Sequence, residues 1–150
     1  MNGSEILTAA EREAIRAQAK EEYPFESCGV VLTRGDERRL LRCRNAQNEL
    51  HARDPRRHPR DARTAYYIDP KDLLRIGELE RAAFGVAVIY HSHIDAGAYF
   101  SETDRRQALV GAVPAYPGAV YVVTSVMAGV VDDMKAYRWN GHDFVEIPHE

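Results

Sequence analysis

The stretch Gly85-Val86-Ala87-Val88-Ile89-Tyr90-His91-Ser92-His93 decides how this chain is read. Five apolar residues behind a helix-ending glycine, Val86 to Tyr90, predict a strand buried in a sheet. The strand runs straight into two histidines two positions apart. Strand side chains alternate, so His91 and His93 share one face. Two neutral imidazoles side by side suit zinc or another borderline metal. A third ligand must come from elsewhere, and Asp104 is placed for it. It falls in the first turn of a helix opened by Ser101, and residues Ile94 to Phe100 can fold that turn back. Two histidines and one carboxylate leave a fourth position for water, the arrangement of a catalytic zinc rather than a structural one. Such a water ionises near neutral pH, and a nearby carboxylate can take its proton.

Working outward, Thr8 with Glu11 makes a capping box, and Ala9 to about Glu22 is a helix stopped by Pro24. Cys28 to Leu32 reads as a buried strand, Gly35-Asp36 as a turn, and Arg38 to Arg44 as the hairpin partner. Asn45 to Thr64, with Pro55 and Pro59, reads as a long polar loop, and Ala65 to Ile68 as a short strand. Pro70 opens a helix, Lys71 to Phe84, with Leu73, Leu74, Ile76, Leu79 and Ala83 at helical spacing. The helix from Ser101 runs to about Val110, and strands Ala119–Val126, Met134–Trp139 and Phe144–Ile147 finish the chain. The order gives an α+β class, a single mixed β-sheet flanked by helices, as one domain over residues 1–150.

Composition narrows the function classes. A chain of 150 residues with 45% hydrophobic and 29% charged residues buries one ordinary core and is no disordered or collagen-like chain. Twenty Lys+Arg against 23 Asp+Glu, net −3, is too balanced for a general nucleic-acid or membrane-surface binder. Two cysteines, Cys28 and Cys43, are too few for a disulfide framework and suit a reducing compartment. Met1 to Ala19 has no apolar core behind a basic start, so no signal peptide is read and a cytoplasmic location is expected. Leu109 to Val131 is uncharged and long enough to span a bilayer, but Pro114 and Pro117 break a helix there. It is read as a helix end, a turn and a strand.

The site residues also have plain structural readings. Ser-x-x-Asp at Ser101 and Asp104 is a helix cap, and both roles are compatible for Ser101. Glu26 could be an ordinary acid before a strand. Asp95 and Glu102 read as loop and first-turn residues rather than ligands. Cys28 lies in an apolar strand, where buried cysteine is the ordinary case and a nucleophile or redox role is disfavoured. His51, His58, His142 and His149 have no partner at ligand spacing and read as surface residues. The loop arginines Arg53, Arg56, Arg57, Arg60 and Arg63 read as part of a solvated, partly disordered segment, ahead of a contact for an acidic protein partner. A nucleic-acid role is weaker still, because no aromatic residues are interleaved with them.

The spacing His91-x-His93, seven residues, Ser101, two residues, Asp104 resembles the JAMM (MPN-plus) metallopeptidase motif without a gap. Glu26-Ser27-Cys28-Gly29 before an apolar strand looks like that family's Glu-x-Cys-Gly element. The resemblance covers nearly the whole chain and implies a cytidine-deaminase-like fold. It implies that His91, His93 and Asp104 ligate one Zn2+ per chain. It gives Glu26 the role of general base and then acid, and Ser101 that of oxyanion donor; Glu21 and Glu22 rank well below Glu26. Many members have proline after the second histidine where this chain has Ile94, which alters loop stiffness and not a ligand. Small prokaryotic members are implied to cut after the C-terminal Gly-Gly of a ubiquitin-like or sulfur-carrier protein, releasing an amino acid, a protein or an extension. A homodimer is left open. The competing expectation is a non-catalytic scaffold of the same fold that binds a ubiquitin-like partner. Scaffold members typically lose ligands, and here all are present. A DNA-associated branch carries Pro-Ser-Gly after the second histidine, which Ile94-Asp95-Ala96-Gly97 lacks.

Overall fold

A computed structural model describes residues 5–149; the reading of Met1 to Ala19 therefore lies partly outside the described residues. In chain order the elements are α1 (Ala9–Glu22), β1 (Cys28–Arg34), β2 (Glu37–Cys43), α2 (Gln47–Arg53), α3 (Pro70–Arg81) and β3 (Gly85–Ile94). They continue with α4 (Glu102–Ala108), β4 (Leu109–Val110), β5 (Val113–Pro114), β6 (Val120–Met127), β7 (Val130–Trp139) and β8 (Phe144–Ile147). Six strands form one sheet in the order β2-β1-β3-β6-β7-β8, and β4 pairs with β5 apart from it. Only β3 and β6 are parallel; the other neighbours are antiparallel. This is the mixed α+β architecture that the sequence implies.

The central strands are apolar on both sides because both sides are covered. Cys28, Val30, Leu32, Ile89, Tyr121 and Val123 point into a core that includes Ile76 of α3 and Ala108 of α4. Val31, Val88, Tyr90 and Val122 point into the opposite core with Leu7 and Ile15, beneath α1. Continuing the alternation from Ile89 puts His91 and His93 on the α4 side of the sheet. The β1–β3 register sets Cys28 opposite His91, so the residues just before β1 arrive beside the histidines.

Four local readings are corrected. The Asn45–Thr64 segment contains helix α2, and its backbone is tied down by side chains. Gln47 Nε2 donates to the Arg60 carbonyl at 2.9 Å, and the Ala62 N–H donates to Asn48 Oδ1 at 2.8 Å. Side-chain-to-backbone bonds of this kind order a polar segment that has no apolar period. Ala65–Ile68 is no strand; only Ile68 makes an isolated bridge, to Asn45. The α3 helix ends at Arg81, not Phe84, in a Schellman turn. Ala83 takes φ 73°, Ala83 N–H donates to the Glu80 carbonyl, and Phe84 N–H to the Leu79 carbonyl. That turn ordinarily has glycine where Ala83 stands, so no stop signal precedes Gly85 in the chain. The α4 helix ends at Ala108, because Leu109 and Val110 leave it to pair with Val113 and Pro114. The uncharged stretch from Leu109 holds β4, β5 and β6, and no helix among the described residues is long and apolar enough to cross a membrane.

Candidate metal centre

The site is assembled from the end of β3, the first turn of α4 and the segment entering β1. His91 is fully buried and His93 and Asp104 are nearly so. Their donor atoms all lie within 4.8 Å of one another, so the three could hold a metal ion. Asp104 reaches both imidazoles, with Oδ1 at 3.1 Å from His91 Nε2 and Oδ2 at 3.0 Å from His93 Nε2. Two ligands of a tetrahedral ion at about 2.0–2.1 Å lie roughly 3.3 Å apart, close to these separations.

The chemistry of the donors asks for a cation. His93 Nδ1 lies 2.8 Å from the Gly97 carbonyl, which can only accept, so Nδ1 carries a proton. In the neutral ring Nε2 is then a bare lone pair, facing a carboxylate oxygen. Two acceptors at that distance require a proton or a metal ion between them. His91 is less satisfied still: neither ring nitrogen has a hydrogen-bond partner, although Nε2 lies 3.1 Å from Asp104 Oδ1. A fully buried imidazole without partners is costly unless something coordinates it. Burial opposes ionisation of Asp104, but the two imidazoles, when protonated, outweigh it and hold its carboxyl well below the usual range. The carboxylate is therefore available as a ligand.

The helix-cap reading of Asp104 holds, and it is compatible with a place among the residues that could hold a metal. Ser101 Oγ accepts the Asp104 N–H at 3.0 Å, and Asp104 Oδ2 accepts the Ser101 N–H at 3.0 Å, a complete capping box. The box aims the carboxylate back toward β3. Ser101 caps with a lone pair, which leaves its hydroxyl proton free to donate.

Glu26, His93 and Ser101 line one cavity of about 300 Å³. Glu26 is 4% exposed, and its Oε1 is buried with no partner. Burial first, and the Asp104 charge second, raise its pKa well above the ordinary carboxylate value, while Arg60 works the other way. An acid pushed upward in this way sits nearer the range useful for moving protons at neutral pH. Its backbone is fixed: Glu26 N–H donates to the Ala62 carbonyl at 2.8 Å, and its carbonyl accepts from Asn45 Nδ2 at 2.9 Å. The adjoining Ser27 N–H donates to Ser92 Oγ at 2.8 Å, and Ser92 N–H returns to the Ser27 carbonyl at 3.1 Å. Ser92, the residue between the histidines, thus staples the Glu26 segment to β3.

The rival residues are placed elsewhere. Glu21 and Glu22 meet Arg42 at 2.7 and 3.5 Å on the outer surface. Asp95 accepts from the Tyr23 hydroxyl and the Ala128 N–H and so holds a loop. Glu102 faces Arg106 at 3.6 Å. Cys28 and Cys43 are buried, free, and opposite one another in the β1–β2 register. Burial first and Cys43 second push the Cys28 thiol well up, and burial pushes Cys43 up to about 12, so neither is a ready thiolate. Sequence reasoning missed Tyr66, whose ring stacks on His91 at 4.5 Å, and Tyr99, which packs edge-on against His93 at 4.9 Å. Nothing in the spacing of those tyrosines announced the contacts.

A mixed sheet with helices on both faces and a buried His-His-carboxylate cluster at a strand end defines the class, an α+β protein with a candidate metal centre. Residues 8–140 match the family described as prokaryotic homologs of the JAB domain, and the chain belongs to that family. A curated relative, the tail tip assembly protein K of Escherichia phage N15, is 34% identical over 95 residues. That match takes in 63% of this chain and 32% of the phage protein, so the chain corresponds to about a third of that relative. Two solution structures share the fold. A Desulfitobacterium hafniense protein has a TM-score of 0.64 and 20% identity, over 93% of this chain and 87% of its own. A Salinibacter ruber protein has a TM-score of 0.59 and 24% identity, over 94% and 87%.

Proposed function

We propose that this chain is a zinc-dependent peptidase that hydrolyses the bond after the C-terminal Gly-Gly of a ubiquitin-like or sulfur-carrier protein in the cytoplasm. The observation that carries the reading is the pairing of the buried His91–His93–Asp104 cluster, whose His91 ring has no hydrogen-bond partner, with the buried Glu26, whose Oε1 has none either. The donor set suits zinc, and a zinc ion held there supplies Lewis acidity and makes water easier to deprotonate. The protein's own groups do the rest. Glu26 takes a proton from the attacking water and passes it to the departing nitrogen. Ser101 donates its hydroxyl proton to the oxygen on which negative charge develops. The amide C–N bond breaks, a C–O bond to the water oxygen forms, and one water is consumed. Family membership and the small cavity, about 300 Å³, favour a glycine tail, which has no side chains to accommodate.

The test is cleavage of a carrier with a C-terminal extension, with zinc measured on the same samples. Glu26→Gln keeps the fold, the metal and binding of a Gly-Gly-tailed carrier, and loses at least about 10²-fold in turnover. Near-normal turnover, or loss of zinc along with activity, overturns the assignment. A second reading, a scaffold without catalysis, draws support from the assembly role in the name of the phage N15 relative. It leaves the buried donors and the orphaned Glu26 without a purpose.

A further inference from the structure

The cavity that holds Glu26 also holds Arg60, Arg63 and Glu102 at its rim. Two of these charges are already answered: Arg63 Nη2 lies 2.8 Å from Asp61, and Glu102 faces Arg106. Arg60 has no carboxylate partner and no side-chain hydrogen bond among the described residues. Its backbone is nevertheless held in place. The Arg60 carbonyl accepts from Gln47 Nε2, and two residues on the Ala62 carbonyl accepts the Glu26 N–H. Arg60 is therefore an unanswered guanidinium on a tethered segment, close enough to Glu26 to pull against the rise of its pKa.

We infer that Arg60 binds the α-carboxylate of a single amino acid released from the substrate, so that the site acts on a free C-terminal residue. This rests on the peptidase reading above. In an amino acid the carboxylate carbon lies about 2.5 Å from the amine nitrogen, by ordinary bond lengths. The nitrogen that takes the proton from Glu26 thus brings its carboxylate into the same cavity. There it meets two carboxylates of the lining, Glu26 and Glu102, which disfavour a third unless a cation faces it. Arg60 supplies that cation in a form suited to bidentate carboxylate binding. A cavity of about 300 Å³ is at the small end for ligand sites and fits a short peptide end. A leaving group that continues as a chain has a neutral amide at this position, which pairs with Arg60 more weakly than a carboxylate does.

The probes are acetyl-Gly-Gly-Ala with a free carboxylate and its C-terminal amide. Binding is measured by calorimetry on zinc-supplemented Glu26→Gln, which cannot turn them over. The free acid binds about 10- to 100-fold more tightly than the amide, the range for a hydrogen bond to a charged group. Adding Arg60→Ala removes that difference, and Arg60→Lys restores part of it. The melting temperature stays unchanged in both variants, because the side chain is exposed and unpaired. Equal binding of acid and amide, no measurable binding of the acid, or an acid preference that survives Arg60→Ala overturns the assignment. The two readings fail separately. If wild-type protein hydrolyses acid and amide alike, the peptidase stands and the Arg60 site falls. If neither is hydrolysed but the acid binds through Arg60, the site stands and the peptidase falls.

Discussion

Gly29 admits no side chain, and the cost of adding one can be worked from the structure. A Cβ built there lies 2.2 Å from Tyr90 Oη, 2.3 Å from Cζ and 2.6 Å from Cε2. Ordinary Cβ contacts begin at 3.4 Å, so the ring must withdraw by about 1.2 Å. Tyr90 is fully buried and has no space to enter. Its hydroxyl donates to Gln18 Oε1 at 2.5 Å, and Gln18 Nε2 donates to the Cys28 carbonyl at 2.9 Å. Gly29→Ala therefore overpacks the core, at about 1–3 kcal/mol, and strands a buried acceptor, at about 1–3 kcal/mol more. The gain from a less flexible unfolded chain, about 0.4–1 kcal/mol, does not offset this. A net loss of about 3 kcal/mol corresponds to a drop of roughly 6–12 °C in Tm for a domain of this size. Denaturant unfolding of Gly29→Ala, Tyr90→Leu and the double variant gives the coupling. If the ring is the obstacle, the double variant is less destabilised than the sum of the singles by at least about 1 kcal/mol. Stability of Gly29→Ala within about 0.5 kcal/mol of wild type, or strict additivity, refutes the reasoning.

Three further outcomes are expected. Purified protein takes up about one zinc per chain, and zinc at about 100 times its Kd raises Tm by roughly 5–11 °C. Elemental analysis that finds undiminished zinc in His93→Ala removes that residue from the centre. Ser101→Ala loses about 10²-fold in turnover through the missing donor, and about 0.5–2 kcal/mol of stability through the missing cap. If only stability falls, Ser101 is a cap and nothing more. Glu11 is the pH-dependent stability element. Burial raises its pKa, but Arg38, bonded at 2.8 and 2.9 Å, and Thr8 N–H outweigh that and lower it. Its contribution is therefore complete above the unfolded-state value, about 4.3, and lost as pH falls through the lower folded-state value. Wild type exceeds Glu11→Gln by about 1–3 kcal/mol at pH 7, and the two converge in acid. A gap that does not change with pH contradicts the ion-pair account.

Whatever local periods and caps encode was legible in the chain. The apolar run into His91 and His93 fixed a buried strand and put both imidazoles on one face. The Ser101–Asp104 spacing fixed a capped helix start, and the same box aims the carboxylate at those imidazoles. The strand segments were legible because burial on both faces leaves only apolar side chains. Whatever depends on distant partners came from the packed fold alone. Glu26 is orphaned and raised because the Cys28–His91 register and the Ser27–Ser92 bonds bury it beside Asp104, not because of its neighbours in sequence. The Asn45–Thr64 segment looked like solvated loop because its order comes from Asn45, Gln47 and Asn48 side chains on remote backbone groups. Such bonds leave no periodic trace. For the same reason no count of charges could single out Arg60. Five arginines stand in that segment, and only the packing of the chain puts Arg60 and Arg63 at the cavity and leaves Arg60 there without an ion-pair partner among the described residues.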